Sequence, residues 1–216
     1  WYGANEPHRP YTRDVWKKKG RTEASAKVPA YLPDVQEVRG DLLDYAYEIE
    51  WFDIHLGQII RELEKRDMMQ NTIIIVTADN GLPFPGAKAN CYDAGIHVPL
   101  AICWQGHILR HGIEQVAVSL IDIFPTIMEL TGTPYSTIPL SGHSLAPLLG
   151  IGEGEYEPHE IYSGRERHSS ARPNNWGYPI RSMRQGRYLL IRNFHPERMP
   201  AGNALPLGEK NPVNGY

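Results

Sequence analysis

Apolar residues recur at three- and four-residue spacing over residues 41–65. Leu42, Leu43, Ala46, Ile49, Phe52, Leu56, Ile59, Ile60 and Leu63 form one stripe, which predicts a helix of about seven turns. Acidic residues gather at its start and Lys65-Arg66 close it, in accord with the helix dipole. The pattern then changes. Residues 72–77 are a β-branched, nearly continuous apolar run, the signature of a strand buried on both faces. The long helix is expected to pack on the sheet that holds this strand. A second apolar strand is predicted over 98–104, a third near 114–118, and a helix over 119–131. Pro125 inside that last span moves its true start to about Asp122, because proline is tolerated in a first turn. Residues 1–5 read as the end of a strand and 6–11 as the loop leaving it. Residues 12–38 are polar, and their basic run Lys17-Lys18-Lys19-Gly20-Arg21 reads as a solvated face.

Beyond Gly150 glycine and acidic residues become denser, which marks a boundary between a unit at 1–150 and a smaller one at 151–216. Three strands are predicted in the second unit, over 161–163, 179–184 and 187–193. Gln185-Gly186 is a hairpin turn between the last two. There are no internal repeats. An α/β first unit followed by a small antiparallel subdomain is the architecture this order implies.

Chemistry concentrates where the 72–77 strand stops. Asp79-Asn80-Gly81 follows it directly, and the carboxyl ends of strands are where α/β folds bind ligands. A carboxylate beside an amide oxygen suits a hard cation such as calcium or magnesium. The same tripeptide is also a common turn, so on these residues alone both readings stand. Gly81 lets the chain pass where a side chain would obstruct. A Gly/Pro-punctuated loop follows, with one lysine, Lys88. Asp53 and His55 on the long helix read as exposed-face polar residues rather than as a ligand pair.

Composition narrows the picture without naming a chemistry. A net charge of −3 gives no basic footprint for nucleic acid or an anionic membrane. No apolar run approaches a membrane span. Two cysteines make neither a disulfide framework nor a metal motif. Cys103 is expected to be buried in its strand, and Cys91, on the loop, to be partly accessible. Nine histidines are numerous enough to be followed as ligands or proton carriers.

A strand, Asp79-Asn80-Gly81, a loop bearing Lys88 and then Gly95-Ile-His-Val-Pro99-Leu100 together resemble the sulfatases of the alkaline phosphatase-like superfamily, and within them the sulfamidase (N-sulfoglucosamine sulfohydrolase) branch. The likeness runs from Glu6-Pro7-His8-Arg9-Pro10 to Tyr178-Pro179-Ile180-Arg181. It implies an α/β/α sandwich around a mostly parallel sheet. It implies calcium held by Asp79 and Asn80, a cationic contact to sulfate from Lys88, and an active-site role for His8 at the sulfate or the leaving group. Arg9 would bind an anion or pair with Glu6. Arg165, Arg167 and His168 would recognise an anionic sugar or form a salt-bridged surface loop. His8 and Lys88 also have plain surface readings.

The family's nucleophile is a formylglycine made from Cys or Ser in Cys/Ser-x-Pro-x-Arg, and neither that motif nor its aspartate pair occurs in these 216 residues. The chain therefore reads as a fragment that turns over nothing alone. Its parent would remove sulfate from a sulfated saccharide, outside the cytoplasm: periplasmic, secreted or lysosome-like. A phosphoesterase or phosphonate hydrolase of the same superfamily, and a non-catalytic glycan-binding module, are the rival functions. Oligomeric state has no sequence signal.

Overall fold

The computed structural model describes residues 1–108, 112, 114–134, 139–152, 154–167 and 176–198. Helix α2 spans Gln36–Lys65, five residues earlier than the apolar stripe predicts. Its N-cap, Val35, has no capping side chain. Asp34 instead receives the Arg39 guanidinium, Nε to Oδ1 at 2.5 Å and Nη2 to Oδ2 at 2.7 Å. The short helix α1, Val15–Lys18, lies across the first half of α2. Its start is capped from outside: the buried Asp44 carboxylate accepts the Asp14 N–H at 2.9 Å and the Trp16 N–H at 3.3 Å. Unpaired N–H groups at a helix start need such partners. Trp16 packs with Ala26 and Leu43 to form a small core.

The closest packing of α2 is against α1 and the 3₁₀ turns at Glu23–Ser25 and Met69–Asn71. The first half of α2 also carries Tyr45, which packs on Phe84 in the loop after the 72–77 strand, and Asp41, which binds Arg9. Ile49, Trp51, Ile54 and Ile59 remain exposed.

Strand β1, Ile73–Thr77, pairs antiparallel with β2, Leu100–Trp104, with Ile75 opposite Ile102. Between them lies the one-turn helix α3, Asp93–Ile96. Among the described residues every strand pairing is antiparallel. The expected strand at 114–118 forms no ladder, nor do residues 1–5, because neither finds a strand partner among the described residues. The two cysteines are the reverse of expectation. Cys103 falls on the outward face of β2 and is exposed, whereas Cys91 is 3% exposed and packs with Tyr178 and Ile180.

Helix α4, Ile123–Leu130, is entered through a 3₁₀ turn, Leu120–Asp122, closed by a reciprocal Ser119/Asp122 capping box. After residue 150 come β3, Ile161–Arg165, β4, Ile180–Gln185, and β5, Tyr188–Asn193, in an antiparallel sheet of order β3-β4-β5. Gln185 faces Tyr188, so the hairpin turn is Gly186-Arg187, one residue beyond the predicted pair.

Candidate functional site

The segment that leaves β1 is packed more tightly than any turn requires. Gly81 donates its N–H to the Gly95 carbonyl at 3.0 Å. A Cβ on Gly81 would fall well inside 3.0 Å of the Ala94 carbonyl oxygen, and one on Gly95 inside 3.0 Å of the carbonyls of Ala87 and Asn90. Three stretches of backbone are therefore stacked with no room for side chains. The glycine serves close approach as much as turning.

Phe84 anchors the loop. It is buried against Tyr45 of α2, with ring centroids 5.7 Å apart, and under the Arg9 guanidinium, 4.9 Å from its ring. Arg9 is also 4.6 Å from the Tyr11 ring, donates from Nε to the Pro83 carbonyl at 3.1 Å, and forks onto Asp41 at 3.0 and 2.5 Å. Asp41 is thus a carboxylate partner of Arg9. Burial pushes the Tyr11 hydroxyl well above its ordinary pKa, only partly offset by Arg9. Tyr11 stays protonated and donates to the Pro7 carbonyl.

From the opposite side Arg165, in β3, stacks on Tyr178 with 5.3 Å to the ring and donates from Nη1 to the Ala89 carbonyl, beside Lys88. Two arginines proposed as anion contacts therefore hold the loop from its two flanks. Lys88 is half-buried, and its N–H is fixed to the Leu82 carbonyl at 3.1 Å.

Asp79 is exposed and makes no hydrogen bond or ion pair with a described residue. The Asn80 amide nitrogen donates to the Gly81 carbonyl at 2.7 Å, which leaves Oδ1 as its free end. These are two hard oxygen donors, which fit part of a calcium shell of six to eight oxygens. Asp79 lines a cleft of about 680 Å³ between β2, residues 114–120 and the β3/β4 strands. Asp93 and Arg184, ion-paired to each other, form part of its wall, with His97 and Ser163. Asn80, Lys88, His8, Arg9, Arg165 and Arg167 do not line this cleft.

His8 is exposed. Its Nδ1–H donates to the Arg9 carbonyl at 2.7 Å, leaving Nε2 outward as the nitrogen able to exchange a proton. Arg167 is exposed on the segment after β3, and His168 lies outside the described residues. Arg181 is engaged by Glu166.

A second constellation escaped the sequence reading. Asp122, His143 and His159 bring one ligand-type atom each to within 4.8 Å of one another. The sole sequence signal was the number of histidines, because 21 and 37 residues separate the two imidazoles from the carboxylate.

The sulfatase family model matches residues 2–133, more than half of the chain. The chain belongs to the sulfatase family. Among curated sulfatases it is 29% identical to human N-sulphoglucosamine sulphohydrolase over 191 residues, covering 83% of this chain and 36% of that protein. It is 24% identical to the ulvan-active sulfatase of Formosa agariphila over 209 residues, covering 95% and 32%. The chain thus spans about a third of the length of these sulfatases. A solved Bacteroides thetaiotaomicron protein, described with the metabolism of multiple glycosaminoglycans, superposes with a TM-score of 0.69 at 20% identity, covering 88% of this chain and 42% of the other. That likeness carries the sulfatase, alkaline phosphatase-like fold.

Proposed function

We propose that the chain is part of a sulfatase that releases sulfate from a sulfated sugar, with the N-sulfate of glucosamine in heparan-type glycans as the leading substrate. The observation that carries this reading is the Asp79-Asn80-Gly81 turn. An unpartnered carboxylate and a free amide oxygen sit at a strand's end, in a loop held rigid by glycine packing and by Arg9 and Arg165. In this reading β1 belongs to a larger, mostly parallel sheet of an α/β/α sandwich, and residues 151–216 form a small C-terminal subdomain.

Asp79 and Asn80 would hold calcium, which neutralises sulfate oxygens when bound. The nucleophile would be a formylglycine supplied by sequence beyond these 216 residues. What this chain contributes is placement and charge. The Lys88 ammonium faces the transferred sulfate as a fixed positive group, worth most where water is excluded. His8 Nε2 delivers a proton to the departing nitrogen or oxygen while the Nδ1 bond to the Arg9 carbonyl sets its tautomer. Arg167 and His168 are assigned to the anionic sugar. Arg9 and Arg165 keep their proposed place beside the substrate, with part of each guanidinium committed to the loop. The parent would work outside the cytoplasm, in the periplasm, secreted or in a lysosome-like compartment. Among the described residues no helix is long and apolar enough to cross a membrane.

The test is a substrate panel for the whole protein. N-sulfated glucosamine disaccharides, O-sulfated counterparts and a phosphate monoester are compared by released anion, with and without chelator. Sulfate release with the N-sulfated sugar foremost is expected. Phosphate release alone would move the protein to the phosphoesterases, and binding without release would make it a glycan-binding module.

A further inference from the structure

Asp122 presents a puzzle that its capping role does not exhaust. It is 0% exposed. Its Oδ2 accepts the Ser119 N–H at 2.7 Å and its Oδ1 the His143 N–H at 2.9 Å. A carboxylate has about four lone-pair sites, so two remain. No lysine or arginine among the described residues comes within ion-pair distance; the single basic group there is His159, with Nε2 4.0 Å from Oδ2. A buried carboxylate without a full counter-charge calls for a cation.

The surroundings supply the rest of a ligand set. The rings of His143 and His159 lie 4.2 Å apart at 48°. His159 Nδ1 is 3.3 Å from the Tyr156 hydroxyl, and its Nε2 faces Asp122 at 4.0 Å; with the hydroxyl accepting from Nδ1–H, the Nε2 lone pair is free for an ion. An outer hydrogen bond on the far nitrogen is the usual support of a metal-binding histidine. Gly142 permits the approach: a Cβ there would fall well inside 3.0 Å of the Ile121 carbonyl. That contact brings the His143 N–H onto Asp122.

We infer that Asp122, His143 and His159 form a binding site for one divalent transition-metal ion of the zinc type. Two imidazole nitrogens and one carboxylate oxygen match the donors that such ions take, whereas calcium and magnesium take oxygen. Bonds of about 2.1 Å in a tetrahedral shell put ligand atoms roughly 3.4 Å apart, so groups now within 4.8 Å of one another close by up to about 1.4 Å on binding. His143, exposed on its loop, makes that movement. Three protein ligands leave a fourth position for water. The ion ties the start of α4, the 139–146 loop and the lead into β3 into one clasp. It is separate from the proposed calcium ligands Asp79 and Asn80.

The experiment uses the chelator-stripped protein, cobalt(II) as a visible probe and zinc as competitor. Wild-type protein should bind one equivalent of cobalt, give absorption bands of nitrogen-oxygen ligation, lose them to zinc and keep them in excess calcium. His143→Ala and His159→Ala should each lose the bands, and Tyr156→Phe should bind about tenfold more weakly. His107→Ala, altering an exposed histidine elsewhere, should bind as wild type. Zinc should raise the melting temperature of wild type but not of His143→Ala, a variant with little reason to misfold because its ring is exposed. Unchanged cobalt bands in both histidine variants, or no stoichiometric binding by wild type, would overturn the site.

Discussion

Asp79 and Asp122 are both carboxylates at the end of a secondary-structure element, and the fold treats them oppositely. Asp79 leaves β1 into an open cleft with no donor among the described residues, while the backbone around it is locked by Gly81 and Gly95. Asp122 begins α4 fully buried, its oxygens taken by two backbone N–H groups. A carboxylate kept clear of protein donors, on backbone that cannot move, is available to a ligand from outside. One enclosed by donors organises the chain, and a cation it accepts strengthens that organisation. In the proposed reading the first serves turnover and the second stability.

Substitutions can break this division. The largest effect expected is on catalysis: in the whole protein Lys88→Ala should lower the rate of sulfate release by about a hundredfold or more, with the melting temperature nearly unchanged. A comparable fall in stability would place Lys88 with the structural residues. Gly81→Ala should cost about 3 kcal/mol of stability in denaturant unfolding, because its Cβ has no space beside Ala94. Asp122→Ala should cost about 2–3 kcal/mol, as two N–H groups lose their acceptor, while the folded fraction keeps its rate of sulfate release. Arg9→Ala removes a half-exposed fork and two ring contacts, and about 1 kcal/mol is expected.

The smallest effect is on pH dependence. The Arg39 guanidinium holds the Asp34 carboxyl below its ordinary value of 3.8. A depressed folded pKa contributes stability that is fully present above 3.8 and lost as pH falls through the lower folded value. Asp34→Asn should therefore flatten the acid side of the stability curve slightly below pH 3.8. A change confined to neutral pH would contradict the assignment.

What could be read in the sequence was what is local. The Asp79 turn, β1, β2 and the β4/β5 hairpin declare themselves within a few residues, and Pro125 located the start of α4. Features made by distant partners did not. The first turns of α2 carry no capping side chain and include Gly40, and the apolar stripe starts only at Leu42, so local pattern marks the helix from Asp41. Cys91 is buried by Tyr178 and Ile180, about ninety residues away in the chain, and Cys103 is exposed because β2 turns that face outward. Arg9 and Arg165 were read as anion contacts from their charge. Their bonds to Pro83 and Ala89 are tertiary and leave no local pattern. The Asp122 cluster needed the chain to return twice.

Calcium-dependent release of sulfate from an N-sulfated glucosamine disaccharide, compared between the whole wild-type protein and its Asp79→Asn variant, is the most direct test. Wild-type turnover that chelator abolishes and calcium restores, with the variant slowed by about a hundredfold or more while folding normally, is the predicted result. Equal rates in the two proteins would contradict the assignment of Asp79 and, with it, the site built around the end of β1.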